Sequence, residues 1–284
     1  IPDHALVHDL AGKHIYPSFV DAYTNFGVAT PKSQGGGRRS PQYEPTREGF
    51  YWNDHIRAEQ KAVEHFKYDE KTAQSMREQG FGVVHSLLKD GIARGSGLIV
   101  ALSDESSDAD RLLETNASQC FSFEKSSQSS QSYPGSLMGA MALLRQMYHD
   151  ANWYRNNGAQ TDQTLEALLA NQKKPAFFEA GDNANTLRAH SIGAQFNQPY
   201  ILVGASDGYE YLNEIAQTKA QFVLPINFPQ AYDVTDPYYS AQLSLEDLRR
   251  WNQAPLNPKK FAEQNIKFSL STHDLKSPKS FSEH

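Results

Sequence analysis

Gly12-Lys13-His14-Ile15-Tyr16-Pro17-Ser18-Phe19-Val20-Asp21-Ala22-Tyr23-Thr24-Asn25-Phe26-Gly27 is the stretch on which the fold is read. The run over 15–22 predicts a β-strand, and Tyr23 and Asn25 stand just beyond its end. The next segment, 30–52, holds Gly35-Gly36-Gly37, Arg38-Arg39 and three prolines, and reads as a long loop directly after that strand. Triple glycine beside two arginines suits a phosphate, but no strand-to-helix P-loop pattern surrounds it, so a solvated loop is the reading.

Outward from this strand, short apolar runs alternate with amphipathic stretches, the pattern of an α/β fold with a parallel sheet. Further strands are expected over 81–87, 98–102, 176–180, 200–205, 222–226 and 266–271. Several are nearly continuous in apolar residues, as strands covered on both faces are. The helices between them carry start signals. Asp207 with Glu210, and Ser244 with Asp247, have capping-box spacing, and Ser136 precedes a stripe of Leu137, Met141, Leu144 and Tyr148. Tyr211, Ile215, Leu248 and Trp251 are expected to be faces that pack on the sheet. Segment 125–135, with its near-repeat SSQSSQS, reads as a flexible surface connection.

Composition bounds the function. The chain has 284 residues, 39% of them hydrophobic, and a formal net charge of -6. It is long enough for one large barrel domain over 1–284, and the absence of a basic cluster argues against nucleic acid or an anionic membrane as partner. No apolar run reaches the roughly 18 residues that span a bilayer. Cys120 is the sole cysteine, which excludes an intramolecular disulfide and a cysteine zinc site. Opening on Ile1-Pro2 in mid-pattern, the chain is expected to be a piece of something longer. Its compartment stays open, leaning to the periplasmic or secreted side.

The opening stretch resembles the first barrel strand of the amidohydrolase superfamily, which reads GK-x-x-x-PG-h-h-DAH-T-H-h-G, with h apolar. Gly12, Lys13, Pro17, Asp21, Ala22, Thr24 and Gly27 match that frame. Segment 78–84 is similar to the family's second strand and its preceding helix. Segment 175–224 is similar to two strand-helix units of imidazolonepropionase-like members, and 268–274 to the last strand, which ends in an aspartate. The resemblance implies a (β/α)8 TIM-type barrel, truncated after the last strand. It also implies a metal-dependent hydrolase of non-peptide C–N bonds: imidazoles on strands one, five and six, a lysine on strand four and the last aspartate surround metal-activated water.

At these positions the chain departs from the family. The two first-strand histidines are Tyr23 and Asn25, Glu179 stands at the strand-five histidine, and Gly204 or Ala205 at the strand-six one. No counterpart of the lysine is evident, and Asp274 alone keeps the family's residue, at the general-base position. Tyr23, Asn25, Glu179 and Asp274 are expected to gather as a substrate pocket at the carboxyl ends of the strands. His85 reads as a satisfied core histidine, and His273 is expected to diverge from Asp274.

Three functions compete. The first is a degenerate barrel, without metal or other cofactor, serving as scaffold or partner to another domain or to a second copy of itself. The second is an active C–N hydrolase with unusual ligands to zinc or another divalent metal. The third is carbohydrate chemistry, with Glu179 and Asp274 as a carboxylate pair and some of the 14 tyrosines as stacking platforms. The first is preferred, because a metal site needs three or more converging donors.

Overall fold

The computed structural model describes residues 10–32, 40–104, 107–158 and 160–283. The readings placed on Ile1-Pro2, Gly35-Gly36-Gly37 and Arg38-Arg39 lie outside the described residues. Eight strands form one sheet in chain order: β1 (Phe19–Thr24), β2 (Phe81–Ser86), β3 (Ala93–Ala101), β4 (Leu112–Ser122), β5 (Ala176–Gly181), β6 (Tyr200–Gly204), β7 (Gln221–Pro225) and β8 (Phe268–Ser271). Nine helices accompany them among the described residues: α1 (Glu70–Glu78), α2 (Asp108–Arg111), α3 (Leu137–Asn157), α4 (Gln163–Ala170), α5 (Asn183–Gln195), α6 (Leu212–Thr218), α7 (Pro237–Ser240), α8 (Leu245–Gln253) and α9 (Asn257–Glu263).

The sheet curls into a nearly closed TIM-type barrel in which β8 returns beside β1. Side chains make this last join. The single hydroxyl proton of Ser271 lies between two acceptors, Asp21 Oδ1 at 2.6 Å and the Tyr23 carbonyl at 2.8 Å. The backbone N–H and hydroxyl of Thr272 donate to Asp21 Oδ2 at 3.0 and 2.5 Å. The buried aspartate of the opening stretch is therefore the clasp of the barrel.

One strand breaks the expected all-parallel order. β3 runs antiparallel to both β2 and β4, whereas the remaining neighbours are parallel. β2 and β3 are joined by the short segment 87–92, which leaves no room for a crossover helix and forces a hairpin-like return. β4 had no forecast at all, because Glu114-Thr115-Asn116 interrupts its apolar pattern.

Side chains alternate across the barrel wall as the period of a strand requires. Tyr23, Cys120, Phe177, Val203 and Val223 form one cluster inside. Ala176, Phe178, Leu202, Phe222 and Leu224 face outward onto Leu143, Leu144 and Met147 of α3 and Ile192 of α5. Burial pushes the Cys120 thiol up to about 12, so it stays protonated and packs as a small apolar group.

The serine-glutamine segment is not a free surface connection. Ser126 and Gln131 are buried. Gln131 donates to the carbonyls of Glu44 and Trp52 at 2.8 and 3.0 Å and accepts from the Asp54 N–H at 2.5 Å. His55 donates from Nε2 to the Gln131 carbonyl at 3.0 Å and accepts the Ser126 N–H at Nδ1, also at 3.0 Å. Low-complexity composition here supplies amides and hydroxyls to a buried polar network.

The expected packing of α8 fails as well. Ser244 and Asp247 form the capping box, yet none of the helix's residues is buried. Leu245, Leu248 and Trp251 are 62%, 43% and 44% exposed. The helix is amphipathic, but its apolar face is left largely in solvent. Leu248→Ser is therefore expected to change folding stability by no more than about 0.5 kcal/mol. A loss of about 2 kcal/mol or more in urea denaturation would place Leu248 in a core instead.

Candidate functional site

At the carboxyl ends of the parallel strands, Glu179 of β5 is the hub of a polar cluster inside the barrel. The Tyr23 hydroxyl, from the end of β1, donates to Glu179 Oε2 at 2.7 Å. Arg94 Nη1 ion-pairs with the same oxygen and donates to the Tyr23 hydroxyl at 3.1 Å. Its Nη2 reaches Glu124 Oε2 at 3.2 Å, and its Nε donates to the Gly91 carbonyl at 3.2 Å. The other Glu179 oxygen lies 3.6 Å from His273 Nε2. His273 Nδ1 in turn lies 2.5 Å from Lys89 Nζ and 3.2 Å from Asp274 Oδ1.

Electrostatics follow from this packing. Burial would raise the Glu179 carboxyl, but Arg94, His273, the Tyr23 hydroxyl and Lys89 outweigh it and bring it down to about 2. Burial pushes Tyr23 well above its ordinary value, so the phenol keeps its proton. Arg94 is 1% exposed and stays charged because Tyr23 and Glu179 offset its desolvation.

Of the four residues expected to form a pocket, the cluster joins Tyr23 to Glu179 directly and links Asp274 to them through His273. Asn25 is exposed, and with Asp274 it borders a neighbouring cavity of about 310 Å³. His273 and Asp274 do not diverge, because Asp274 lies beyond the end of β8 with φ of +64°. His85 donates from Nδ1 to the Ala22 carbonyl at 2.8 Å and accepts from Ser118 at Nε2 at 2.7 Å, so both nitrogens are satisfied.

Sequence reading missed Arg94 and Lys89 as members of the cluster. For Arg94 a signal was present: an arginine set among small and apolar residues in Gly91-Ile92-Ala93-Arg94-Gly95. Its strand was expected to begin later, at Leu98, which left the arginine in a turn.

The donors present do not fit the metal centre of the family. Glu179 is committed to Arg94 and Tyr23, and a fixed guanidinium beside it opposes a cation. Among the described residues, no group of three or more His, Cys, Asp or Glu side chains is placed to hold a metal ion. At the strand-six position, a Cβ on Gly204 would stand 2.3 Å from the Gly181 carbonyl oxygen, and its φ is +124°. Only glycine fits there. Gly204→Ala is expected to lose about 1–3 kcal/mol in urea denaturation, from overpacking plus a disfavoured backbone. Unchanged stability would refute the close approach.

A solved structure of an amidohydrolase from Thermotoga maritima MSB8 superposes on this chain with a TM-score of 0.66 at 18% sequence identity. The match covers 99% of this chain and 71% of that one. Neither a protein-family model nor a curated protein matches the chain. At this identity the likeness shows the fold: an amidohydrolase-like barrel. No helix among the described residues is long and apolar enough to cross a membrane.

Proposed function

We propose that this amidohydrolase-like barrel has lost metal-dependent hydrolysis and serves as a scaffold or partner domain. The observation that carries the reading is Arg94. Its buried guanidinium is ion-paired to Glu179 and hydrogen-bonded to Tyr23, two residues at family ligand positions. A covalently tethered cation thus neutralises the carboxylate that a metal would need, and Asp274 at the general-base position has no activated water to serve. The exposed apolar face of α8, with Leu245, Leu248 and Trp251 in solvent, favours the partner role. Another domain of the same parent chain or a second copy fits that role, and neither requires nucleic acid or a membrane.

Elemental mass spectrometry after exhaustive buffer exchange tests the reading. No stoichiometric zinc, manganese or nickel is expected. A content near one ion per chain, lost in Asp274→Ala, would overturn it and favour an active C–N hydrolase with unusual ligands.

A further inference from the structure

We infer that Lys89 is a nucleophilic amine, and that the cavity it borders captures small neutral aldehydes or ketones as imines. The inference goes beyond the loss of metal hydrolysis and needs no metal. Lys89 lies in the segment after β2, at the same end of the barrel as the Glu179 cluster. Its cavity, of about 310 Å³, is bordered also by Asn25, Asp69, Thr72, Thr272, His273 and Asp274. That volume admits a molecule of a few heavy atoms and its side chains offer polar partners. Asp69 and Asp274 set two carboxylates against the one lysine, so an uncharged carbonyl compound suits the cavity better than a keto acid.

The geometry around Nζ supplies the proton acceptor that an amine nucleophile requires. Nζ is 2.5 Å from His273 Nδ1, a separation that accommodates one hydrogen. With the proton on Lys89, Nδ1 accepts it. With the proton on His273, Nδ1 donates, Asp274 Oδ1 lies 3.2 Å away to receive it, and the amine is left neutral. The two groups therefore titrate as a pair. Burial and the Lys89 charge lower the His273 imidazolium from its ordinary value, Glu179 and Asp274 favour it, and Arg94 discourages it. Burial lowers the Lys89 ammonium from its ordinary value, Glu179, Asp274 and Asp21 raise it, and Arg94 lowers it further. Partly desolvated lysines of this kind are those recruited for Schiff-base chemistry.

The step balances without an oxidant or reductant. The Nζ lone pair forms a C–N bond to the carbonyl carbon, and the C=O π pair moves to oxygen, which takes the proton held by His273. The carbinolamine then returns a nitrogen proton to the relay and loses its hydroxyl with that proton as water, which leaves C=N. When the imine is protonated, its positive charge faces Glu179 and Asp274.

Reductive trapping provides the test. The whole protein is incubated at pH 7 with hydroxyacetone and sodium cyanoborohydride, and adducts are mapped by peptide mass spectrometry. Lys89 is expected to label at least about tenfold faster than the exposed Lys173 and Lys259, which serve as standards in the same molecule. His273→Asn should slow Lys89 alone and leave Lys173 and Lys259 unchanged, whereas unfolding would accelerate buried lysines generally. Pyruvate should label Lys89 more slowly than hydroxyacetone. Equal labelling of Lys89 and the two standards would overturn the nucleophile, as would an unchanged Lys89 rate in folded His273→Asn. Faster labelling by pyruvate would overturn the neutral substrate class.

Discussion

Arg94→Met is expected to cost about 3–5 kcal/mol of folding stability, while Arg94→Met combined with Glu179→Leu recovers most of that loss. The single change leaves the largely buried Glu179 carboxylate with the Tyr23 hydroxyl but no strong cation directly bound to its Oε2. The double change removes both charges and lets apolar side chains fill the barrel beside Phe177 and Val203. Urea denaturation of the four proteins of this cycle measures the coupling. Additive losses would show that the pair is not coupled, and the central claim about Arg94 would fall with it.

The same pair sets an acid limb. In the folded protein Glu179 is lowered from 4.5 to about 2. Because the folded value lies below the unfolded one, its contribution is fully present above about pH 4.5 and is lost as pH falls toward 2. A difference of this size corresponds to about 3 kcal/mol. Arg94→Met should flatten the acid limb between those values, which pH-dependent urea midpoints will read.

Asp21→Ala is the second large effect, with an expected loss of about 3 kcal/mol or more. Four donors converge on this carboxylate: the Ser271 hydroxyl, the Thr272 N–H and hydroxyl, and the Tyr23 N–H at 3.2 Å. Their removal leaves buried donors without partners at the join of β1 and β8. Asp21→Asn restores little, because one of its two carboxylate oxygens becomes an amide NH2 that faces donors. A loss below about 1 kcal/mol for Asp21→Ala would mean that the barrel closes without this clasp.

Much of the fold was legible because local patterns carry it. β5, β6 and β7 lie within a residue or two of the ranges expected from their apolar runs, since burial on both faces leaves few polar positions. The helix starts at Ser136 and Ser244 are where their hydroxyls cap, with Ser136 accepting from the Gly139 N–H at 3.2 Å. Asp207 shows where local reading ends. Its expected capping box is absent, and its carboxylate accepts instead from the Asn183 N–H at 2.8 Å and from the Asn183 amide at 3.0 Å. A distant donor outcompeted the neighbouring one.

The amino-acid sequence by itself determined the barrel class and most strand positions. These depend on residue identity and on periods of two or 3.6, which are properties of short segments. Tertiary structure alone decided that β3 reverses, that the serine-glutamine segment is buried, that α8 turns its leucines outward and that Arg94 is Glu179's partner. The physical reason is range. Arg94 and Glu179 are 85 residues apart in the chain, and a charge becomes an interior one only when folding brings an opposite charge within reach to offset its desolvation.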